Sequence, residues 1–335
     1  MRMFSVKCML ALCCVVFAQS FHPACATDFP KPEDWNNDRV MAAQQFGGVR
    51  KSTGNVTLTY YGFMAFKITT PRGLEIFIDP WGNDPNLPEG VYWYQRRLPK
   101  VRTDIALVTH PHFDHDAIDR LDATMILNRM AGQFELGDVK ITGIAEKHMC
   151  ETQGKYAYRS MVVDITGKDP CPPKESYVWD NNMFIIETGG LRILHWGDNR
   201  QNPPEDVWRK IGKVDVAILP VSDDGHILSP KWADVVMKKL DARIVIPGHY
   251  YIDKMVVPNA GGLETADGWV NSHEHTLLDN ATLTLTPEMA HGYKQHVMYF
   301  SDHVAFPLVE KFQLPPQKEM PPVPAPAEDL SRFKN

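Results

Sequence analysis

Three histidines and two aspartates fall within nine residues, THPHFDHDA at 109–117. Imidazole nitrogens and carboxylate oxygens are metal ligands by type, suited to zinc and also to iron or manganese. In an extended segment alternate side chains share a face, so His110 and His112 can grip one ion together. Asp114 and His115 are adjacent and cannot share a face in regular structure; a turn there would send them to a second ion nearby. A zinc site takes three or four protein ligands, so this cluster cannot complete two sites alone. The remaining ligands must come from later in the chain. The candidates are His148 after VKITGIA, Asp198 in HWGDN and His249 in IPGHY.

Positioning such groups requires rigid elements. Five short apolar, β-branched runs read as buried strands: 74–78, 104–108, 191–194, 214–219 and 242–246. Each runs into ligand-type residues: Asp79; Thr109 and His110; His195 and Asp198; Asp223, Asp224 and His226; and His249. Loops at strand ends are where layered α/β proteins build their sites. NMFIIETGGLRILHWGD reads as a hairpin turning at Gly189 and Gly190, and NVTLTYYGFMAFKI as a strand pair. Helices are fewer. SPKWADVVMKKL has Ser229 as N-cap, Pro230 in the first turn, and Trp232, Val235, Val236 and Leu240 on one face. A second helix is expected from Asp114 through DHDAIDRLD, and a short one near DRVMAAQQF. Strand-rich halves with interposed helices predict two sheets between helical layers.

At these residues the sequence resembles the metallo-β-lactamase superfamily. Its hallmark, His-x-His-x-Asp-His, is met by His110, His112, Asp114 and His115. IFIDPW with Asp79, HWGDN with Asp198, and VDVAILPV followed by VIPGHY with His249 extend the match over residues 55–312. The last block and IDPW look closest to the branch of L-ascorbate-6-phosphate lactonase and N-acyl-phosphatidylethanolamine phospholipase D. The resemblance implies an α/β fold, a four-layer αββα sandwich, and two divalent metal ions, zinc first and manganese or iron as alternatives. It implies that His110, His112 and His148 hold one ion, that Asp114, His115 and His249 hold the other, and that Asp198 bridges them. Asp79 would orient the ligand loop. His195 is a rival to His148 as a ligand, the alternative being a strand-end side chain that faces the core or backs the ligands. His226 would lie over the pocket against substrate or leaving group. Two positions depart from the pattern: Phe63 stands where the branch has a histidine, and Asn199 follows Asp198 where threonine is usual.

The chemistry implied is hydrolysis of a phosphodiester, lactone or related ester by a hydroxide bridging the two ions, with Asp114 orienting it and His226 assisting the leaving group. A β-lactamase is the first alternative, and a metal-binding protein without turnover is the alternative from another class. Asp223 and Asp224 are candidates for substrate contact or for loop turns. Tyr250, Tyr251 and Trp269 are expected to shape the cleft, and VYWYQRR (91–97) to wall it or to pack on a sheet. His273 and His275 in NSHEH read as loop residues, with a third metal site as the alternative.

The chain's ends differ from its middle. Arg2 and Lys7, the apolar run CMLALCCVVFA and small residues at Ala24 and Ala26 read as a signal peptide over 1–26. The run is short for a permanent membrane anchor. Export to the periplasm or beyond is expected. Removal of that segment leaves Cys150 and Cys171, a disulfide candidate in an oxidising compartment, two free thiols being the alternative. Residues 27–54 read as an N-terminal arm, and 313–335 as a proline-rich tail. Hydrophobic residues at 44% and charged residues at 23% fit an ordinary globular chain. A formal charge of -6 without a basic run gives no electrostatic footprint for nucleic acid. The expected partner is a small-molecule or lipid-like ester.

Overall fold

The chain pairs its strands into two sheets, as its apolar runs predict. The structure is a computed structural model describing residues 40–41, 54–84, 92–149, 180–258 and 262–308. Residues 1–26, read as a signal peptide, Cys150, Cys171, the proline-rich tail and most of the arm lie outside these residues. Val40 and Met41, inside the short helix expected near them, are helical.

The first sheet has six strands, ordered β13-β1-β2-β3-β4-β5. They are β1 (Val56–Tyr60), β2 (Phe66–Thr69), β3 (Glu75–Ile78), β4 (Val101–Val108), β5 (Leu121–Asn128) and β13 (Thr282–Leu285). The second has eight, ordered β12-β14-β11-β10-β9-β8-β7-β6. These are β6 (Gly132–Leu136), β7 (Val139–Lys147), β8 (Asp180–Thr188), β9 (Leu191–His195), β10 (Val216–Pro220), β11 (Ile244–Gly248), β12 (His275–Leu277) and β14 (His296–Tyr299). The expected hairpins are β1–β2 and β8–β9.

The apolar runs have a topological cause. β10 pairs in parallel with β9 and β11, and every residue of β10 and β11 is buried. Parallel strands covered on both faces need side chains that shun water on both faces. β3, β4 and β5 are likewise parallel. Running in parallel, each set brings its C-terminal ends to a common edge, and the ligand-type residues follow those ends.

Four helices complete the described structure: α1 (Glu205–Ile211), α2 (Pro230–Leu240), α3 (Asp267–Asn271) and α4 (Pro287–His291). Contacts join α1 to β7 and α2 to β10. In α2, Ser229 Oγ accepts from Trp232 N at 3.4 Å, and Pro230 stands in the first turn, as expected. The buried face shares only Val236 and Leu240 with the expected one, and Trp232 is half-buried. That face comprises Ala233, Val236, Met237 and Leu240, while Val235 is 43% exposed.

The helix expected from Asp114 does not form. His115 N and Asp116 N turn back to His112 O, but Ala117 N is drawn to Pro80 O. Phe113 O, the helical acceptor for Ala117, instead receives Gly82 N. One 3-10 turn at Ile118–Arg120 leads directly into β5, which pairs with β4. Tertiary pairing thus overrides the local helical pattern. Among the described residues no helix is long and apolar enough to cross a membrane.

Candidate metal centre

The two sheets each send ligand-type residues to one place. β4 ends before Thr109 and His110, and the turn after it carries His112, Asp114 and His115. His148 follows β7, Asp198 follows β9, and His249 follows β11. Their nitrogen and carboxylate atoms gather in two groups, His110 with His112 and His148, and Asp114 with His115, Asp198 and His249. Within each group the atoms lie within 4.8 Å of one another.

A hydrogen-bonded hub behind the cluster sets the tautomers. Asp79 is buried at the end of β3 and accepts from Thr109 N at 2.8 Å and Thr109 Oγ1 at 2.7 Å. Thr109 Oγ1 has one proton, given to Asp79, so at 2.9 Å it accepts from His110 Nδ1–H. The lone pair of His110 is left on Nε2, which faces the cluster. His115 Nδ1 also donates to Asp79, at 2.8 Å, and turns its Nε2 inward. His148 Nδ1 donates to Met149 O, with the same result. Such outer partners fix ring orientation and raise the basicity of the inner nitrogen. The sequence places Thr109 beside His110 at a strand end, and only its contacts reveal its role.

Asp198 is the point of convergence. Its Oδ2 lies 3.3 Å from His115 Nε2, 3.3 Å from His249 Nε2, 3.5 Å from His148 Nε2 and 3.8 Å from His110 Nε2. Two of these nitrogens belong to each group. Its Oδ1 is buried with no hydrogen bond among the described residues. His110 Nε2 and His112 Nδ1 are 3.0 Å apart, and His249 Nε2 lies 3.1 Å from Asp114 Oδ2.

The electrostatics divide along the same line. Burial, then the neighbouring imidazoles, holds His110 well below the usual imidazole range; burial and His148 bring His112 to about 3. Burial opposes charge on His115 and His249 as well, but the carboxylates outweigh it. Asp198, Asp114 and Asp79 raise His115 well above its usual value, and Asp198 and Asp114 bring His249 to about 9. Asp114 and Asp198 stay ionised despite burial, held low by His115 and His249. Two carboxylates thus recruit two imidazolium protons inside a buried site. The donor set fits cations, which would supply that positive charge in place of the protons.

Known proteins place the chain in a family. A family model described as "Beta-lactamase superfamily domain" matches residues 57–249, more than half of the chain. The chain belongs to the metallo-β-lactamase superfamily. Similar proteins include UPF0173 metal-dependent hydrolases of Thermodesulfovibrio yellowstonii and Rubrobacter xylanophilus. The first is 30% identical over 222 residues, covering 59% of this chain and 80% of the relative. The second is 31% identical over 219 residues, covering 60% and 84%. A solved structure from Thermotoga maritima, described as a Zn-dependent hydrolase of the superfamily, is 21% identical. The likeness covers 73% of this chain and 98% of that one, with a TM-score of 0.49. The expected enzyme class, a metal-dependent hydrolase, is the class of these relatives.

Local contacts hold the loops that carry the ligand-type residues. Asn181 Oδ1 accepts from Asp198 N at 3.1 Å, while its Nδ2 donates to Trp196 O and Asn199 Oδ1. Met149 N donates to Asp198 O, tying the His148 loop to the Asp198 loop. Asn199, the departure from the usual threonine, pairs across to His148 in an isolated bridge. Gly197 sits between them at φ 58°, and a Cβ there would lie 2.5 Å from Asn181 Oδ1 and 2.9 Å from Thr109 Cβ. Gly197→Ala is therefore expected to lower the melting temperature by several degrees and weaken metal retention about tenfold. Differential scanning fluorimetry with and without chelator measures both. Three non-glycine residues at the site also have left-handed backbones: Phe63 (54°), Asp79 (52°) and His249 (58°).

Other expected residues divide between site and scaffold. His226 is buried over the centre, its ring stacked on His249 at 5.2 Å and edge-on to Trp93 at 6.3 Å. Burial and then His249 bring it to about 3, so it is neutral at pH 7. His195 donates Nε2–H to Met64 O, and its Nδ1 lies 3.9 Å from Asp79, so it stands behind the cluster and not among the ligand groups. Phe63 packs edge-on to His249 at 5.2 Å, so the departure puts an apolar ring beside that histidine. Trp93 and Phe113, 5.8 Å apart and half-buried, form a wall near His226; sequence reasoning had only the run around Trp93.

Several candidates are structural instead. Asp223 accepts from Gly268 N and Trp269 N, and Asp224 from Glu264 N, so both pin the 262–269 loop. Tyr250 is fully buried and donates to Ser301 O. Trp269 is buried and donates to Asp234. Both are packed in the core, so they support the fold behind the cleft and offer it no exposed face. Tyr251 stays half-buried, on a surface hollow with Pro258 and Leu263. His273 pairs with Asp234 at 3.2 Å, and His275 is exposed on edge strand β12; neither joins a metal-type group among the described residues.

Proposed function

We propose that the chain is an exported, binuclear metal-dependent hydrolase of a phosphodiester, lactone or related ester. The observation that carries this reading is Asp198 Oδ2, within 3.3–3.8 Å of two histidine nitrogens from each ligand group. A carboxylate so placed can join two ions. His110, His112 and His148 would hold one, and Asp114, His115 and His249 the other, with zinc first and manganese or iron as alternatives. Two such ions supply a nucleophile from water near neutral pH and stabilise the oxygens that gain charge.

The chain's own residues do the rest. Asp114 orients the attacking water by accepting its hydrogen bond. Asp79, through Thr109 and His115, keeps the rings aimed while charge shifts. His226, neutral at pH 7, donates an N–H to the leaving oxygen rather than acting as a cation. Its place over His249 supports a kinship with the lactonase and phospholipase D branch. The half-buried Trp93 and Phe113 present an apolar wall suited to a small-molecule or lipid-like ester. Export to the periplasm or beyond rests on the character of residues 1–26.

The test is metal analysis of the purified protein joined to a panel of a phosphodiester, a lactone and nitrocefin. About two equivalents of metal and turnover of an ester are expected. Turnover of nitrocefin alone would favour a β-lactamase. Metal binding without any turnover would favour a protein that only holds metal.

A further inference from the structure

One buried polar group beside the centre is left without a partner. Tyr94 is fully buried, and its hydroxyl makes no hydrogen bond among the described residues. A buried hydroxyl in that state costs free energy that a phenylalanine of the same shape avoids. The ring is nonetheless held firmly in place. Asn83 Oδ1 accepts from Trp93 N and Tyr94 N, and Asn83 Nδ2 donates to Tyr94 O. Tyr94 also pairs with Val256 in an isolated bridge.

Aromatic contacts tie Tyr94 to the loop that carries Asp114. Its ring lies 4.4 Å from Trp81, 4.8 Å from Phe63 and 6.4 Å from Phe113. Phe113 immediately precedes Asp114. Phe63 is edge-on to His249, which reaches Asp114 at 3.1 Å. Gly82 N donates to Phe113 O at 2.8 Å, so the strap carrying Asn83 is tied to the loop carrying Asp114. Asp114 and Asp198 both act electrostatically on the hydroxyl, and a phenol O–H is a hydrogen-bond donor at neutral pH.

We propose that Tyr94 is a positioning residue, its hydroxyl donating to the Asp114 carboxylate in the working site and so fixing the group that orients the attacking water. This rests on the binuclear hydrolase reading above. Trp81, Phe63 and Phe113 pack around the ring, and so apolar a setting strengthens a hydrogen bond to a charged acceptor.

Tyr94→Phe removes one oxygen and keeps the packing. The metal-free variant is expected to melt at or above the wild-type temperature. Zinc titration should show the first equivalent bound as in the wild type and the second about tenfold more weakly, and kcat on the best panel ester should fall about tenfold with KM within about twofold. A purely structural tyrosine would give the opposite pattern, a lowered metal-free melting temperature with zinc binding and kcat preserved. That result, or wild-type zinc binding and kcat with no change in melting, overturns the proposal. Failure of the wild type itself to bind zinc and hydrolyse any ester would take down the hydrolase reading, and this proposal with it.

Discussion

His112→Ala is expected to lose at least one equivalent of bound metal and to cut kcat/KM by a thousandfold or more. The group it belongs to has three members, His110, His112 and His148. Two nitrogens fall short of the three or four ligands a zinc ion takes. A thousandfold loss corresponds to about 4 kcal/mol of transition-state stabilisation, in keeping with losing one of two charges that act together. His112 is half-buried on a turn rather than in a sheet, so the variant should fold normally. Metal analysis, circular dichroism and ester turnover decide the matter. A folded variant with full metal and full activity would remove His112 from the ligand set.

Asp79→Asn should be nearly as damaging, by a different route. The carboxylate accepts three hydrogen bonds, from Thr109 N, Thr109 Oγ1 and His115 Nδ1. An amide replaces one accepting oxygen with an NH2 group, which would face a donor inside a fully buried pocket. Leaving buried donors unpaired costs about 1–3 kcal/mol each. The melting temperature should fall by several degrees. His115 would lose the bond that aims it, and His110 would lose its tautomer lock through Thr109. Metal affinity should drop about 10–100-fold, the usual effect of removing an outer partner. Calorimetry of the metal-free protein and competition with a zinc chelator read the two effects apart. Unchanged melting and unchanged affinity would show that Asp79 does not organise the centre.

Much of this centre was legible in the sequence because its logic is local twice over. Parallel strands buried on both faces must be apolar throughout, so β4, β9, β10 and β11 stood out as runs. Ligands placed at strand ends follow such runs directly, so His110, Asp198 and His249 could be picked by position. The edge strand β5 was hidden for the converse reason. Its residues are mostly half-buried or exposed, and the segment before it read as a helix until Ala117 N was seen to pair with Pro80 O. Val235 was assigned to the wrong face because helical periodicity alone does not say where the buried stripe is centred. Thr109, Asn181 and Tyr94 could not be assigned by any local pattern. Each has partners distant in the sequence, and Asp223 and Asp224 stayed open between substrate contact and loop turns for the same lack of partner information.

The left-handed backbones of Phe63, Asp79 and His249 have a consequence for anyone who would make this protein more robust. A side chain at such a φ costs roughly 1 kcal/mol or more relative to glycine. These three positions would therefore stand high in any search for stabilising glycine substitutions. Yet Phe63 O receives His249 N, Asp79 holds the rings, and His249 is itself a ligand-type residue. Relaxing any of them would trade aim for ease. Engineering for thermal tolerance should start at the outer strands and helix ends, and leave these three bends as they are.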